Sequence, residues 1–146
     1  MKITINTDER NTETEISIHC RALDTEIEKI VATLRMLNSQ LMVTKDDENH
    51  LVDITNIIYV EAVDRKTFVY TSEAVYESKL RLYEMEELLC AGSFQRISKS
   101  CLVNLRYIKS LKNDVERKIR LTLKNGEQII VSRQYADEMK RRLGVI

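Results

Sequence analysis

The sequence predicts a mostly β protein of the α+β class, with short flanking helices and a small N-terminal unit of two strands and a helix. Short runs of alternating or clustered apolar residues fill residues 41–71 and 119–131, which is the pattern of strands. Asn125 and Gly126 lie between two such runs, as in a tight β-hairpin of type I′. Helical spacing of apolar residues is limited to three segments, which follow Asp24, Ser78 and Ser132.

Residues 1–45 are predicted to form a small α+β unit. Residues 2–7 and 15–20 alternate apolar and polar side chains and are predicted strands. Asp24 is a favourable cap for the helix that follows, whose apolar stripe consists of Ile27, Ile30, Val31, Leu34 and Leu37. Because a unit of about 40 residues buries little surface, the stripe is expected either to pack in a core or to form a dimer or regulatory interface.

Residues 46–146 are predicted to form a separate, β-rich domain. The acidic turn at residues 45–49 is predicted to be a hairpin tip. It is not predicted to be a calcium-binding loop, because the glycine and the terminal glutamate of that loop are missing. The strands 57–63 and 67–71 are joined by a short, mostly basic link at residues 64–67. That link is either an ordinary hairpin turn or a projection that reaches a groove.

Two short helices are predicted in this domain. Ser78 is a candidate cap for the first, with Leu82, Met85, Leu88 and Leu89 facing inward. Ser132 is a candidate cap for the second, which Gly144 closes. The cations at residues 140–142 favour the end of that helix.

Residues 94–110 form a basic segment without an acidic residue. Its cations are Arg96, Lys99, Arg106 and Lys109, and its short polar groups are Ser98, Ser100, Asn104 and Tyr107. Hydroxyl groups interleaved with cations suit phosphate oxygens, and so indicate a nucleic-acid surface. Arg133 is unfavourable in the first turn of a helix unless an anion is near, and the amides of that turn, with Ser132 and Gln134, can themselves bind a phosphate.

The net charge is zero, but it is unevenly distributed. Residues 1–56 contain six basic and eleven acidic side chains, so the remainder is correspondingly basic. No apolar run is long enough to span a membrane, and the N-terminus has no apolar secretory region, so a cytoplasmic protein is expected.

The cysteine and histidine content argues against a metal site, a cofactor or an enzyme. Three cysteines, Cys20, Cys90 and Cys101, predict no disulfide framework and fit a reducing compartment. Only two histidines are available as further metal ligands. His19 and Cys20 are neighbours in a predicted strand, so they would face opposite ways and cannot act as base and nucleophile. No glycine-rich phosphate loop is present.

Three blocks of the sequence resemble the LytTR DNA-binding domain of bacterial transcriptional regulators. They are IIYVEAVDRKTFVY at residues 57–70, RISKSCLVNLRYI at residues 96–108 and LTLKNGEQIIVSRQY at residues 121–135. The resemblance covers about residues 46–146. It implies a mostly β fold that places loops in the major groove, reads promoter repeats and bends the DNA.

The resemblance also implies which residues contact DNA. The base-reading candidates are Arg65, Lys66, Thr67, Lys99 and Arg133, and Arg or Lys can donate to guanine O6 and N7. The resemblance places Arg96, Ser98, Ser100 and Asn104 at contacts to the DNA backbone or at their supports. The chemistry of the residues themselves adds four backbone candidates, Arg106, Lys109, Ser132 and Gln134. Ser98 stands where many members have histidine, Cys101 where they have an aromatic residue and Ile130 where they have proline.

The resemblance leaves the input of the regulator open. About 45 N-terminal residues are too few for a phosphate-accepting receiver domain, so regulation is expected through the N-terminal unit or a partner. The expected partners are duplex DNA, a second copy of the chain in a homodimer, and a co-encoded membrane protein. The alternative function is a β-rich interaction module that binds an acidic partner protein, and a steep salt dependence would separate DNA binding from it.

Overall fold

The structure, a computed structural model, describes residues 1–37, 40–90 and 92–145. The chain divides into two compact units, Met1–Arg35 and Met36–Ile146. Among the described residues, none of the helices has the length and apolarity that a membrane crossing requires.

Most of the predicted helix, α1 (Thr25–Leu37), lies in the first unit. The carboxylate of Asp24 accepts a hydrogen bond of 3.0 Å from the Ile27 amide, which confirms the predicted cap. Four residues of the apolar stripe, Ile27, Ile30, Val31 and Leu34, are half-buried. The side chain of the fifth, Leu37, lies outside the described part of the chain.

The prediction of two strands before this helix is wrong. Residues 2–20 are all described, and none of them is in a strand. Their apolar side chains remain largely exposed, with values of 77% for Ile3, 82% for Ile5 and 64% for Ile16. An isolated pair of strands is marginal in water unless another element covers one face, so alternation alone does not produce pairing.

The second unit contains a seven-stranded antiparallel sheet in the order β2-β1-β5-β4-β3-β7-β6. Its strands are β1 (Gln40–Lys45), β2 (Glu48–Asp53), β3 (Ile57–Val63), β4 (Lys66–Thr71), β5 (Val75–Ser78), β6 (Phe94–Ser98) and β7 (Cys101–Asn104). The acidic turn between β1 and β2 is a two-residue hairpin tip, in which Asp46 and Asp47 have φ values of 51° and 63°. Positive φ at both positions is the type I′ geometry.

A three-stranded antiparallel sheet in the order β10-β9-β8 packs beside it. Its strands are β8 (Ile108–Asn113), β9 (Ile119–Leu123) and β10 (Gln128–Val131). The predicted β9–β10 hairpin is confirmed, but its turn is not of type I′. Gly126 has φ of 90° and Asn125 has no positive φ, whereas type I′ needs two such residues. Short 3₁₀ turns occupy Ile54–Asn56 and Leu105–Tyr107. Val115–Arg117 form a turn in which Glu116 and Arg117 have left-handed backbone, with φ values of 58° and 62°.

The described residues of this unit also form the helices α2 (Leu82–Leu89) and α3 (Arg133–Arg142). The cap position of α2 is Arg81 rather than the predicted Ser78, whose hydroxyl instead accepts a hydrogen bond of 3.1 Å from the Leu80 amide. Leu82, Met85 and Leu89 are buried as predicted, but Leu88 is exposed. Gly144, with φ of 76°, closes α3 as predicted.

The central strands are buried on both faces, because successive side chains of a strand point to opposite sides. Leu102 of β7 packs with α2 in one core, and its neighbour Val103 packs with the three-stranded sheet and α3 in the other. Both side chains are fully buried. The strands that carry the predicted site are therefore fixed between two cores.

Candidate nucleic-acid interface

Strand pairing places the β3–β4 turn beside the β6–β7 turn. β3 and β7 are antiparallel neighbours with Glu61 opposite Cys101. The Ala62 amide donates a hydrogen bond of 2.8 Å to the Ser100 carbonyl, just before the β3–β4 turn begins. We refer to residues 64–67 as loop 1 and residues 98–100 as loop 2. These two loops lie at the same end of the seven-stranded sheet.

The start of α3 reaches the same end. β10 finishes at Val131, and the next amide, that of Ser132, donates a hydrogen bond of 2.8 Å to the carbonyl of Ile97 in β6. We refer to residues 132–134 as loop 3. Loops 2 and 3 line one open cleft of about 560 Å³, together with part of the β8–β9 turn; the lining residues are Ser98, Lys99, Ser100, Glu116, Lys118, Ser132, Arg133 and Gln134. Six of the predicted site residues thus share a single cleft.

Loop 1 begins with a two-residue turn of type I′. Val63 pairs with Lys66, and the residues between them, Asp64 and Arg65, have φ values of 50° and 67°. Left-handed backbone is uncommon for residues other than glycine, asparagine and aspartate, so Arg65 occupies an unfavourable conformation. Arg65 and Lys66 are exposed, whereas Thr67 is only 4% exposed.

Loop 2 is held from within by Arg96. Its Nε donates a hydrogen bond of 2.7 Å to the Ser98 carbonyl, and its two terminal nitrogens bind the Lys99 carbonyl and the carboxylate of Glu86 in α2. The Ser98 hydroxyl accepts a further hydrogen bond of 3.2 Å from the Ser100 amide. Lys99 is exposed. Arg96 therefore orders the turn that presents Lys99.

Loop 3 begins α3 without a side-chain cap. Ser132 occupies the predicted cap position, but its hydroxyl makes no capping hydrogen bond to the helix. Arg133 and Gln134 follow it and are exposed. The first-turn amides of a helix without a cap are donors for an anion, and an anion there would also favour a cation at Arg133.

Asn104 does not face this surface. Its side chain is fully buried: Nδ2 donates to the Ile57 carbonyl at 2.9 Å, and Oδ1 accepts from the Ser93 hydroxyl at 2.8 Å and from the Arg106 amide at 3.1 Å. Arg106 and Lys109 are exposed, but they follow β7 at the end opposite loop 2. The structure does not bring these three residues to the cleft.

Two groups at the loop end were not identified from the sequence. Thr67 pairs with Ser78 across β4 and β5, so the exposed Lys79 lies beside loop 1. Glu116 and Lys118, in the β8–β9 turn, line the cleft with Lys99 and Arg133. The position of Lys79 directly after a predicted strand could have identified it as a loop cation. Its proximity to loop 1 could not be predicted without knowing that β4 pairs with β5.

Burial raises the pKa of one thiol and two tyrosine hydroxyls behind the loops. Burial, assisted by the charge of Glu61, raises the pKa of the Cys101 thiol to about 12, so the thiol stays protonated at neutral pH. Tyr59 and Tyr70 stack with ring centroids 4.2 Å apart, and burial raises the pKa of both hydroxyls. Among the described residues, no three His, Cys, Asp or Glu side chains are grouped so that they could hold a metal ion.

Comparison with known proteins identifies similar chains. The LytTr DNA-binding domain family matches residues 47–144. The chain is 31% identical, over 99% of both sequences, to proteins named uncharacterized HTH-type transcriptional regulators in Staphylococcus aureus strains MSSA476 and NCTC 8325. The solved LytTr DNA-binding domain of a Bacillus cereus protein matches with a TM-score of 0.69 and 34% identity, covering 73% of this chain and 97% of that one.

Proposed function

We propose that this chain, which belongs to the LytTR family of DNA-binding domains, regulates transcription by binding specific duplex DNA through loops 1, 2 and 3. The observation that carries the proposal is the convergence of these loops at one end of the domain, with Lys99 and Arg133 lining the same cleft. Separated segments that converge with exposed cations suit a polyanion that crosses all three.

The loops, rather than a helix pair, are the elements proposed to enter the major groove. Among the described residues, strands separate every helix from the next, so no helix-turn-helix unit is available to present a recognition helix. Arg65, Lys66, Lys99 and Arg133 are the proposed base-reading residues, with guanine O6 and N7 as their preferred acceptors. Lys66 and Lys99 lie on neighbouring hairpins, so their targets are expected to be close in the site.

The phosphate contacts are proposed for the short polar groups of the cleft. Ser98, Ser100, Ser132 and Gln134 carry hydroxyl or amide donors beside Lys99 and Arg133. Such contacts fix the register of the protein on the duplex, whereas the base contacts give sequence preference. Lys79 joins this group because it is exposed beside loop 1.

The remaining predicted residues receive supporting or flanking roles in the proposal. Thr67, Arg96 and Asn104 position the loops, since their polar atoms are buried or already bonded within the chain. Arg106 and Lys109 contact phosphates only on a duplex that bends around the domain, a deformation that sequence-dependent DNA stiffness would make part of the specificity.

The proposed assembly is a homodimer on DNA, with one protomer on each of two repeats. The half-buried apolar stripe of α1 is the proposed dimerisation or regulatory element within residues 1–45. We place the protein in the cytoplasm, where promoter DNA is accessible, and retain a co-encoded membrane protein as a proposed source of the input signal.

Selection of bound duplexes from a random pool, at two salt concentrations, tests the proposal. The expected result is enrichment of a repeated motif, together with a logarithm of affinity that falls linearly with the logarithm of salt concentration. Selected duplexes without any shared motif would contradict sequence-specific binding. A shallow salt dependence would contradict a contact surface made of several phosphates.

A further inference from the structure

We propose that Glu116 is a specificity-determining residue, whose carboxylate accepts a hydrogen bond from the amino group of a cytosine in the major groove. This inference rests on the proposed DNA binding. It concerns an acidic side chain in a cleft whose other charged residues are Lys99, Lys118 and Arg133. No predicted DNA contact includes this residue.

The position of Glu116 follows from the pairing of the three-stranded sheet. Ile119 of β9 lies opposite Val131 of β10. The β8–β9 turn immediately precedes Ile119, and loop 3 immediately follows Val131. The two segments therefore meet at the same end, and a duplex bound against Arg133 would approach Glu116 as well.

The turn that carries Glu116 is held by hydrogen bonds on both sides. Asp114 accepts a hydrogen bond of 2.8 Å from the Val115 amide through its carboxylate, and its own amide donates to the Lys118 carbonyl at 2.8 Å. Lys118 in turn donates its amide to the Val115 carbonyl at 3.2 Å. Arg120 lies 3.0 Å from the Asp114 carboxylate. These contacts fix the backbone conformation of the turn at Glu116 in the absence of DNA.

Within the protein, Glu116 is only weakly engaged. Its carboxylate lies 3.6 Å from Nζ of Lys118, and the Lys118 and Glu116 side chains are 41% and 73% exposed. An ion pair at this distance and exposure contributes little stability, so the carboxylate is available to another donor. When Glu116 binds a base, the ammonium group of Lys118 is in turn available to contact a phosphate.

A carboxylate in this cleft has a clear chemical preference. Phosphates repel it, and guanine O6 and N7 and thymine O4 are acceptors that give it no partner. The amino groups of cytosine and adenine both donate in the major groove, but that of adenine lies beside the N7 acceptor, which repels a carboxylate, so cytosine is preferred. The arrangement therefore suits adjacent G·C pairs, with a cation on the guanine of one pair and Glu116 on the cytosine of the next. Sites without the cytosine are penalised, because the carboxylate then loses its donor and keeps its repulsion.

The test compares the wild type with Glu116→Ala and with a matched control, Glu48→Ala. Glu48 is also exposed and also lies 3.6 Å from one basic partner, His50, but it borders the β1–β2 turn at the opposite end of the sheet. The duplexes are the best site selected by the wild type, versions in which each C·G pair is replaced singly by T·A, and a scrambled site. Thermal unfolding verifies that both variants are folded.

We expect the wild type and Glu48→Ala to lose about tenfold in affinity at one particular C·G replacement, and Glu116→Ala to lose less than about twofold there. Equal tightening of Glu116→Ala on every duplex would overturn the inference, since Glu116 would then act only through its charge. An unchanged replacement pattern would overturn it too. If the wild type itself does not distinguish selected from scrambled duplexes, sequence-specific binding fails instead.

Discussion

Arg96 lies three residues before Lys99, and its guanidinium group binds the backbone of the turn that presents Lys99. Both are cations of one basic segment, but burial separates their roles: Arg96 has a side chain that is 17% exposed and paired with Glu86, whereas Lys99 is exposed. Because each guanidinium nitrogen of Arg96 already donates a hydrogen bond within the protein, we propose that Arg96 supports the turn and that Lys99 makes the contact to DNA. The type of a residue therefore identifies it as a candidate for DNA contact. Its hydrogen-bond partners within the protein indicate whether it contacts DNA or supports a loop.

The exposed arginine of loop 3 supplies the first prediction. Arg133→Ala should weaken binding to the selected site by about 1–3 kcal/mol and reduce discrimination at one base pair, if Arg133 donates to a guanine. Affinities on selected and scrambled duplexes measure this effect. The matched control is Arg141→Ala, an exposed arginine in the last turn of the same helix. Equal losses on both duplexes would instead indicate a phosphate contact.

Asn104 supplies a prediction about stability. Asn104→Ala should lower the free energy of unfolding by about 2–4 kcal/mol, because it leaves the Ile57 carbonyl and the Ser93 hydroxyl without their partner. Urea unfolding measures the difference. Asn125→Ala, at an exposed turn, should cost about 1 kcal/mol or less. A loss no larger than that of Asn125→Ala would mean that the buried network is not what fixes Asn104.

At the scale of the element, the hairpin turns differ in what they carry. The β1–β2 and β3–β4 turns have the same two-residue geometry with positive φ at both positions. The first holds Asp46 and Asp47 at the end away from the cleft, and the second holds Asp64 and Arg65 in loop 1. The shared geometry permits a comparison in which only the charge and the location differ.

Glycine substitution in the two turns separates folding from DNA binding. Arg65→Gly and Asp47→Gly should each raise the free energy of unfolding by up to about 1 kcal/mol, because glycine removes the left-handed strain. Only Arg65→Gly should weaken DNA binding, with reduced discrimination between selected and scrambled duplexes, because Arg65 is a proposed base-reading residue. Thermal unfolding and affinity titrations on both duplexes measure the two effects. Matching DNA affinities for both variants would remove Arg65 from the proposed interface.

In the whole molecule, the two proposed functions, DNA binding and dimerisation, are assigned to different compact units. Met36–Ile146 contains both sheets and all three loops, and Met1–Arg35 contains most of α1 with its half-buried apolar stripe. An amphipathic helix in a small unit is a means of pairing protomers on repeated sites.

Removal of residues 1–35 tests this division. The shortened chain should retain affinity for a single site but lose cooperativity on a duplex with two repeats, because the second protomer then binds independently. Quantitative binding to one-repeat and two-repeat duplexes measures this, after circular dichroism has verified the β structure. Unchanged cooperativity would exclude a dimerising role for α1.

Much of the fold was predictable from local patterns. The alternation in β3, β4, β9 and β10 and the cap at Asp24 depend on nearby residues alone, and these features are present. The nature of the candidate site was equally local, because the cations and hydroxyls of loops 2 and 3 are adjacent in the chain. The β9–β10 turn type was not predictable in this way, since Asn125–Gly126 is compatible with more than one hairpin geometry.

Local patterns in the sequence were sufficient to predict strands β3, β4, β9 and β10 and the residue types available to DNA. They were not sufficient to show that residues 2–20 form no strand, that Thr67 and Asn104 are buried, or that Glu116 lines the cleft with Lys99 and Arg133. Each of these depends on contacts between segments distant in the chain, such as that of Ser132 with Ile97. Periodicity specifies the face on which a side chain lies, but burial and proximity depend on what packs against that face.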